Sequence, residues 1–242
     1  MLFRSEHGMA GRPAEVQNIS MTLQTEKLGG HMAVAVSGID LARLDSPDAQ
    51  ANLRRLLNDN LVLCVRGQKL APPAFRDAMA RFGTPMRRLQ LAATSECDEV
   101  NIISSEDRDV LGDGKKLVNG ASWHTDDSFM REPCSLTMLY GVIVPPIGGD
   151  TQFVNMYAAY EALSPEMKMR IDGLKVIHKY QSSRQTNRVS KRPEEEMKAM
   201  PEATHPLVRT HPETGRRVLF VSEGWTKCIV GLPWAQSVHL LA

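Results

Sequence analysis

Two short stretches, WHTD at residues 123–126 and GGDT at 148–151, decide how this 242-residue chain is interpreted. His124 and Asp126 are two residues apart, and on an extended strand such residues point to the same face. An imidazole beside a carboxylate supplies two of the three ligands in the 2-His-1-carboxylate site that holds non-haem Fe(II). The sequence therefore predicts a metal-binding pair at His124 and Asp126. The alternative is a structural histidine on a half-buried strand, because His-x-Asp alone is a weak motif.

Composition and charge narrow the class of protein. The net charge is +1 and 42% of the residues are hydrophobic, which is typical of an ordinary globular domain without an attractive field for nucleic acids. The four cysteines are far apart, as in a reduced protein, and no apolar run approaches the length of a membrane span. We therefore expect a cytoplasmic protein whose partners are neither nucleic acids nor membranes.

The pattern of apolar residues predicts helices in the first part of the chain and mainly strands after it. Residues 1–20 are polar and aperiodic, so we expect a poorly ordered arm there and a single domain over 21–242. Helices are predicted after Ser46-Pro47 and Pro72-Pro73, and at 157–163 and 164–171. Strands are predicted at 31–39, 61–65, 100–105, 136–144, 152–155 and 174–180, with a hairpin over 205–221 and a solvated insert at 181–203.

The surroundings of the His-x-Asp pair favour a functional site. Trp123 precedes the pair and Phe129 follows it, so bulky groups can wall off a dry pocket. After the Gly-Gly turn, Thr151 and Phe153 share one face, and the threonine hydroxyl can donate to an anionic cosubstrate. The alternative for Thr151 is a β-branched residue that begins a strand.

Motifs along most of the chain resemble the taurine dioxygenase (TauD/TfdA) family of Fe(II)- and 2-oxoglutarate-dependent dioxygenases. The matching stretches follow the family's order: SGIDL (37–41), RFG (81–83), WHTDDSF (123–129), GGDT (148–151), AYEALS (159–164), HPLVRTHPETGRRVLFV (205–221) and IVGL (229–232). The resemblance implies a mainly β fold with flanking helices, namely a double-stranded β-helix (a cupin-like jelly roll).

The resemblance also implies a chemistry and assigns residues to it. It implies that His124 and Asp126 ligate Fe(II) and that Thr151 hydrogen-bonds the distal carboxylate of 2-oxoglutarate. The family's enzymes consume O2 and 2-oxoglutarate and hydroxylate a small organic substrate, often an anionic one such as taurine or another sulfonate. Such chemistry needs an open coordination position and a cavity that excludes water.

The chain departs from the family pattern after IVGL. Family members continue into strands that supply the second histidine ligand and an arginine for 2-oxoglutarate, whereas no arginine follows Arg217 here. Of the other histidines, His178 fits a core position, His205 and His211 precede prolines, and His239 lies in a terminal segment that we expect to fray. We therefore expect an incomplete jelly roll that lacks C-terminal strands, has little activity and associates with another chain, such as a second copy.

The candidate substrate contacts are Arg87, Arg88 and Phe129. Adjacent residues on a strand face opposite sides, so at most one of the two arginines can reach an anionic substrate. Solvated surface charges are the favoured interpretation of both. Two other functions stay open. One is a non-catalytic jelly-roll protein for binding or assembly, and the other is a zinc hydrolase, in which Thr151 would have no role.

Overall fold

The computed structural model describes residues 23–87, 96–104, 122–180, 198 and 200–242. The predicted N-terminal arm, residues 105–121 and most of the predicted insert at 181–203 lie outside the described residues. No helix in the described ranges is long and apolar enough to cross a membrane.

The first layer is a three-stranded sheet in the order β1-β2-β3. Strand β1 is antiparallel to β2, and β2 is parallel to β3, so the chain must cross over between β2 and β3. The first two helices pack near this sheet. The bounds are β1 Gln24–Lys27, β2 Val34–Ser37, α1 Pro47–Asn60, β3 Leu63–Val65 and α2 Pro72–Ala80. The crossover is made by α1.

Local sequence explains where α1 begins and ends. The Ser46 hydroxyl accepts a hydrogen bond from the Ala49 N–H (3.3 Å), and Pro47 occupies the first turn, where its missing N–H costs nothing. Leu61 ends the helix in a left-handed conformation (φ 66°). Leu53 is fully buried and joins Val36 in the core of this layer, as the predicted apolar stripe requires.

The second layer contains the remaining strands. Strand β4 lies between β5 and β8 and is antiparallel to both, and β6 and β7 form a separate hairpin. Helix α3 packs on β7, and α5 packs on β8. The bounds are α3 Met156–Glu161, α4 Pro165–Ile171, β4 Lys175–Lys179, β5 Glu202–Pro206, β6 Val208–Thr210, β7 Arg217–Leu219, β8 Thr226–Ile229 and α5 Trp234–Leu241.

Three predicted strands are wrong. Residues 136–144, 100–104 and 152–155 are not strands, because no strand in the described ranges hydrogen-bonds to any of these runs beyond a single bridge at Asn101. An apolar run becomes a strand only when a neighbour satisfies its backbone groups. The first run is therefore largely exposed, with Val142 81% and Ile143 93% accessible. The predicted association with a second copy stays a prediction.

The end of the chain also differs from expectation. The segment around His239, expected to fray, is helix α5. The Ser237 hydroxyl, fully buried, accepts a hydrogen bond from the Ile229 N–H of β8 (2.6 Å). Leu240 and Leu241 pack against the core cluster of Val176 and Ile229. Tertiary packing therefore stabilises this eight-residue helix, which would be too short to form in isolation.

We predict that Ser237→Ala lowers the free energy of unfolding by about 1–3 kcal/mol, because it leaves the buried Ile229 N–H without an acceptor. Urea denaturation followed by circular dichroism measures this change. Gln236→Ala is the matched control, since Gln236 is an exposed neighbour on the same helix. Equal stability of the two variants would contradict the docking of α5 through Ser237.

Candidate metal centre

His124 and Asp126 lie together, although not on the strand that their spacing suggested. His124 is in an irregular segment, and a turn begins at Asp126. The His124 Nε2 and Asp126 Oδ1 atoms are 3.4 Å apart, and the two side chains are 26% and 28% exposed. The turn, rather than strand alternation, brings the imidazole and the carboxylate side by side.

The hydrogen bonds of His124 determine which of its nitrogens can bind a metal. The Ser122 carbonyl, which can only accept, lies 2.7 Å from Nδ1, so the proton sits on Nδ1. In the neutral ring, Nε2 then carries the lone pair and faces the Asp126 carboxylate. A nitrogen lone pair and a carboxylate oxygen directed at the same space repel each other unless a proton or a metal cation lies between them.

The donor pair fits two adjacent coordination positions. Ligands on neighbouring sites of a metal, each about 2.1 Å away, are roughly 3 Å apart, close to the observed 3.4 Å. One nitrogen and one carboxylate oxygen also suit Fe(II). Within the described ranges no group of three His, Cys, Asp or Glu residues could hold a metal ion, so the third ligand is not identified among them.

Thr137 orients the Asp126 carboxylate, and no pattern in the sequence indicates this contact. Its hydroxyl donates a hydrogen bond of 2.8 Å to Asp126 Oδ2, the oxygen that does not face His124. Outer hydrogen bonds of this kind orient a metal-ligating carboxylate. Thr137 lies 11 residues after Asp126 on the run that was predicted as a strand, so no local spacing links the two residues.

An aromatic cluster forms one side of the pair. Trp225 meets the His124 ring edge-on, with 5.5 Å between ring centroids, and stacks on Tyr180 at 4.8 Å. Phe129 packs edge-on against both Tyr180 and Trp225. All three aromatic residues of the cluster are buried, so Phe129 contributes to an apolar wall on this side, whereas Trp123, which was also predicted to do so, is 47% exposed.

Trp225 carries a further mark of a functional site. Its indole Nε1–H is buried and has no hydrogen-bond partner among the described residues. A buried donor without a partner costs about 1–3 kcal/mol, and such atoms in native proteins call for an explanation such as a missing water or ligand.

Gly224 allows the turn before β8 to approach the His124 segment. Its N–H donates to the Trp123 carbonyl at 2.9 Å. A Cβ at this position would lie 3.0 Å from Ser122 Oγ and 3.4 Å from His124 Cβ, so a side chain would require its neighbours to move. Sequence reasoning missed this glycine because its neighbour lies a hundred residues earlier in the chain.

The other predicted site residues, Thr151, Arg87 and Arg88, do not take part in the hydrogen bonds described for His124 and Asp126. Thr151 is exposed and follows the turn at Gly148 and Gly149, which both adopt positive φ (80° and 72°) as predicted. Arg87 is exposed and forms an ion pair of 2.9 Å with Asp98. Arg88 lies outside the described residues. The roles of all three stay predictions.

The histidines considered as alternative ligands are engaged elsewhere. His178 is 1% exposed, which confirms its predicted core position, and His205 is buried beside it. His211 accepts a hydrogen bond from the Glu213 N–H and packs on Tyr157. None of them contacts the pair.

Burial lowers the pKa of His178 to about 4 and outweighs the hydrogen bond to the Phe220 carbonyl, which raises it. The neighbouring His205 contributes to the lowering, and burial also lowers the pKa of His205 itself. Both imidazoles are therefore neutral in the folded protein at neutral pH.

Comparisons with known proteins were made on the sequence and on the fold. Residues 24–242 match the model of the family described as "Taurine catabolism dioxygenase TauD, TfdA family". The chain is 31% identical over 233 residues to an alpha-ketoglutarate-dependent 2,4-dichlorophenoxyacetate dioxygenase of Cupriavidus pinatubonensis, covering 92% of this chain and 80% of that protein. It is 30% identical to an alkylsulfatase of Acinetobacter baylyi, covering 92% of this chain and 69% of that protein.

A solved structure agrees with these relatives. The crystal structure of a taurine dioxygenase from Burkholderia xenovorans superposes with a TM-score of 0.72 at 32% identity and covers 90% of this chain and 70% of that one. The predicted fold class, mainly β with flanking helices in a cupin-like arrangement, is confirmed.

We predict that Thr137→Val weakens Co(II) binding about tenfold, because the Asp126 carboxylate loses the hydrogen bond that orients it. Quenching of tryptophan fluorescence by added Co(II) measures the dissociation constant. Thr137→Ser keeps the hydroxyl and should bind as the wild type does. A valine variant with wild-type affinity would show that the hydrogen bond does not orient a ligand.

We predict that the protein loses about 2 kcal/mol of stability between pH 7.5 and 5 through His178 alone. Its folded pKa of about 4 lies below the ordinary 6.5, so the unfolded chain binds more protons in this interval. The contribution is complete above pH 6.5 and declines as the pH falls towards 4. Urea unfolding at both pH values measures it, and His178→Gln should flatten the dependence. If the free energy of unfolding of this variant changes with pH as steeply as that of the wild type, a group other than His178 causes the change.

Proposed function

Because this chain belongs to the taurine catabolism dioxygenase TauD, TfdA family, we propose that it is an Fe(II)- and 2-oxoglutarate-dependent dioxygenase that hydroxylates a small organic acid. The family and its relatives are alpha-ketoglutarate-dependent dioxygenases, a class of oxidoreductase. The observation that carries the proposal is the imidazole-carboxylate pair at His124 and Asp126, separated by 3.4 Å.

In this proposal His124 binds the metal through Nε2 and Asp126 binds it through Oδ1. The Ser122 carbonyl keeps a proton on Nδ1, so Nε2 is the ring nitrogen that is left to bind the metal. Thr137 holds the second carboxylate oxygen. When bound, Fe(II) with 2-oxoglutarate and O2 supplies the oxidising power to hydroxylate an unactivated C–H bond.

The surrounding residues exclude water and bind the organic ligands. Trp225 and Phe129 cover one side of the pair with apolar surface. We assign Thr151 to the distal carboxylate of 2-oxoglutarate, as the family resemblance implies. Its exposed position leaves the hydroxyl accessible to a ligand.

We propose an anionic substrate. Two relatives and one solved neighbour are named for 2,4-dichlorophenoxyacetate, alkyl sulfates and taurine, all of which carry an acidic group. Of the two candidate cations, Arg87 and Arg88, Arg87 lies within the described residues, and binding a substrate would require it to exchange Asp98 for the substrate. The cytoplasmic location also stays a prediction.

The test is 2-oxoglutarate-dependent succinate formation by the purified chain with Fe(II), O2 and a panel of taurine, an alkyl sulfate and 2,4-dichlorophenoxyacetate. We expect turnover with at least one acid and a loss of more than a hundredfold in His124→Ala and in Asp126→Ala, because each variant removes a metal ligand. His211→Gln, which contacts Tyr157 rather than the pair, is the control and should keep wild-type activity.

A second candidate function is a non-catalytic member of this family that binds an organic acid. It is supported by the observation that no third ligand lies beside His124 and Asp126 in the described ranges. Binding of one of the acids without succinate formation in the same assay would favour it over the dioxygenase. Turnover that depends on His124 would exclude it.

A further inference from the structure

Two buried histidines lie behind the turn that carries Asp126, and the proposed chemistry does not use them. His178 is on β4 and His205 is on the neighbouring β5, and their rings meet edge-on with 5.5 Å between centroids. They are 1% and 6% exposed. Histidine is costly to bury, so each polar ring atom needs a partner.

The partners of His178 reach into the turn. Its Nε2 lies 3.1 Å from the Phe220 carbonyl, which can only accept, so Nε2 carries the proton. Nδ1 is then the acceptor, and the hydroxyl of the fully buried Ser128 donates to it at 2.8 Å. Ser128 lies two residues after Asp126.

His205 binds the same turn from the next strand. Its Nε2–H donates to the Met130 carbonyl at 3.0 Å. The two imidazoles therefore hold a side chain at position 128 and a backbone carbonyl at position 130. Because β4 and β5 are hydrogen-bonded neighbours, both attachments come from one rigid sheet.

The turn includes one residue in an uncommon backbone conformation. Asp127 is left-handed (φ 53°), which is rare for residues with a Cβ, although aspartate is among those that adopt it most readily. Inside the turn, the Met130 N–H donates to the Asp127 carbonyl at 2.8 Å, and the Ser128 N–H donates to the Thr125 carbonyl at a long 3.4 Å. Strained backbone persists where the surroundings over-determine it, and it concentrates at functional sites.

We propose that His178 and His205 are positioning residues that lock the turn at residues 125–130 onto the β5-β4-β8 sheet and thereby set where the Asp126 carboxylate lies relative to His124. The role in metal binding rests on the proposed function. The role in holding the turn rests on the hydrogen bonds alone.

The experiment compares Ser128→Ala, which removes the donor to His178, and His205→Phe, which keeps an aromatic ring but removes the donor to Met130. Two quantities are measured on the full chain below its melting temperature: amide hydrogen exchange across residues 125–130, and the dissociation constant for Co(II) from tryptophan fluorescence. His211→Phe is the matched control, because His211 is a partly buried histidine that packs on Tyr157.

We expect each of the two variants to exchange about tenfold faster across the turn and to bind Co(II) about tenfold more weakly, while the control changes neither quantity. Wild-type exchange in both variants would overturn the proposal. Faster exchange with an unchanged Co(II) affinity would overturn the positioning role, since it would show that the histidines only stabilise the fold.

The same experiment separates this proposal from the proposed function. A wild-type chain that binds no Co(II) contradicts the metal site. In that case amide hydrogen exchange is the only test of the two histidines, and faster exchange in the variants still supports their role in holding the turn. A wild-type chain that binds Co(II), with variants of equal affinity, contradicts the positioning role and leaves the metal site standing.

Discussion

The hydrogen bonds that attach residues 122–130 to the strands behind them are the constraint on which the site depends. The Gly224 N–H holds the Trp123 carbonyl, and the β5-β4-β8 sheet holds the turn through Ser128 and Met130. His124 and Asp126 lie between these attachments and are brought within 3.4 Å. Because His124 precedes a turn rather than lying in a paired strand, these tertiary contacts, and not a ladder of strand hydrogen bonds, fix the geometry.

The charges and lone pairs of His124 and Asp126 determine what this geometry can bind. The Ser122 carbonyl places the His124 proton on Nδ1, so the Nε2 lone pair faces a carboxylate whose other oxygen is already bound by Thr137. A proton on Nε2 or a metal cation between the two groups makes this arrangement favourable. The buried aromatic wall at Trp225 lowers the local dielectric, which strengthens both effects. Family membership and local geometry therefore support the same kind of site.

Much of the fold could be predicted from the sequence because its signals are local. Helix α1 begins at Ser46-Pro47, and α4 begins after Ser164 at Pro165, since capping and proline at the first turn act within a few residues. The hairpin of β6 and β7 and the left-handed glycines at 148 and 149 follow the same rule. The strand predicted at 136–144 failed because a strand also requires a partner, and none lies against this run in the described ranges.

In the candidate site, too, some features could be predicted from the sequence and others required the tertiary structure. By itself the sequence determined the family and the core position of His178, and it indicated the candidate pair at His124 and Asp126, because these depend on residue type, motifs and short spacing. Only the tertiary structure showed that a turn brings the pair together and that Thr137 and Gly224 support it. It also showed that His178 and His205 hydrogen-bond to this turn. Those contacts join residues between 11 and about 100 positions apart in the chain, and nothing in local spacing encodes a contact that folding alone creates.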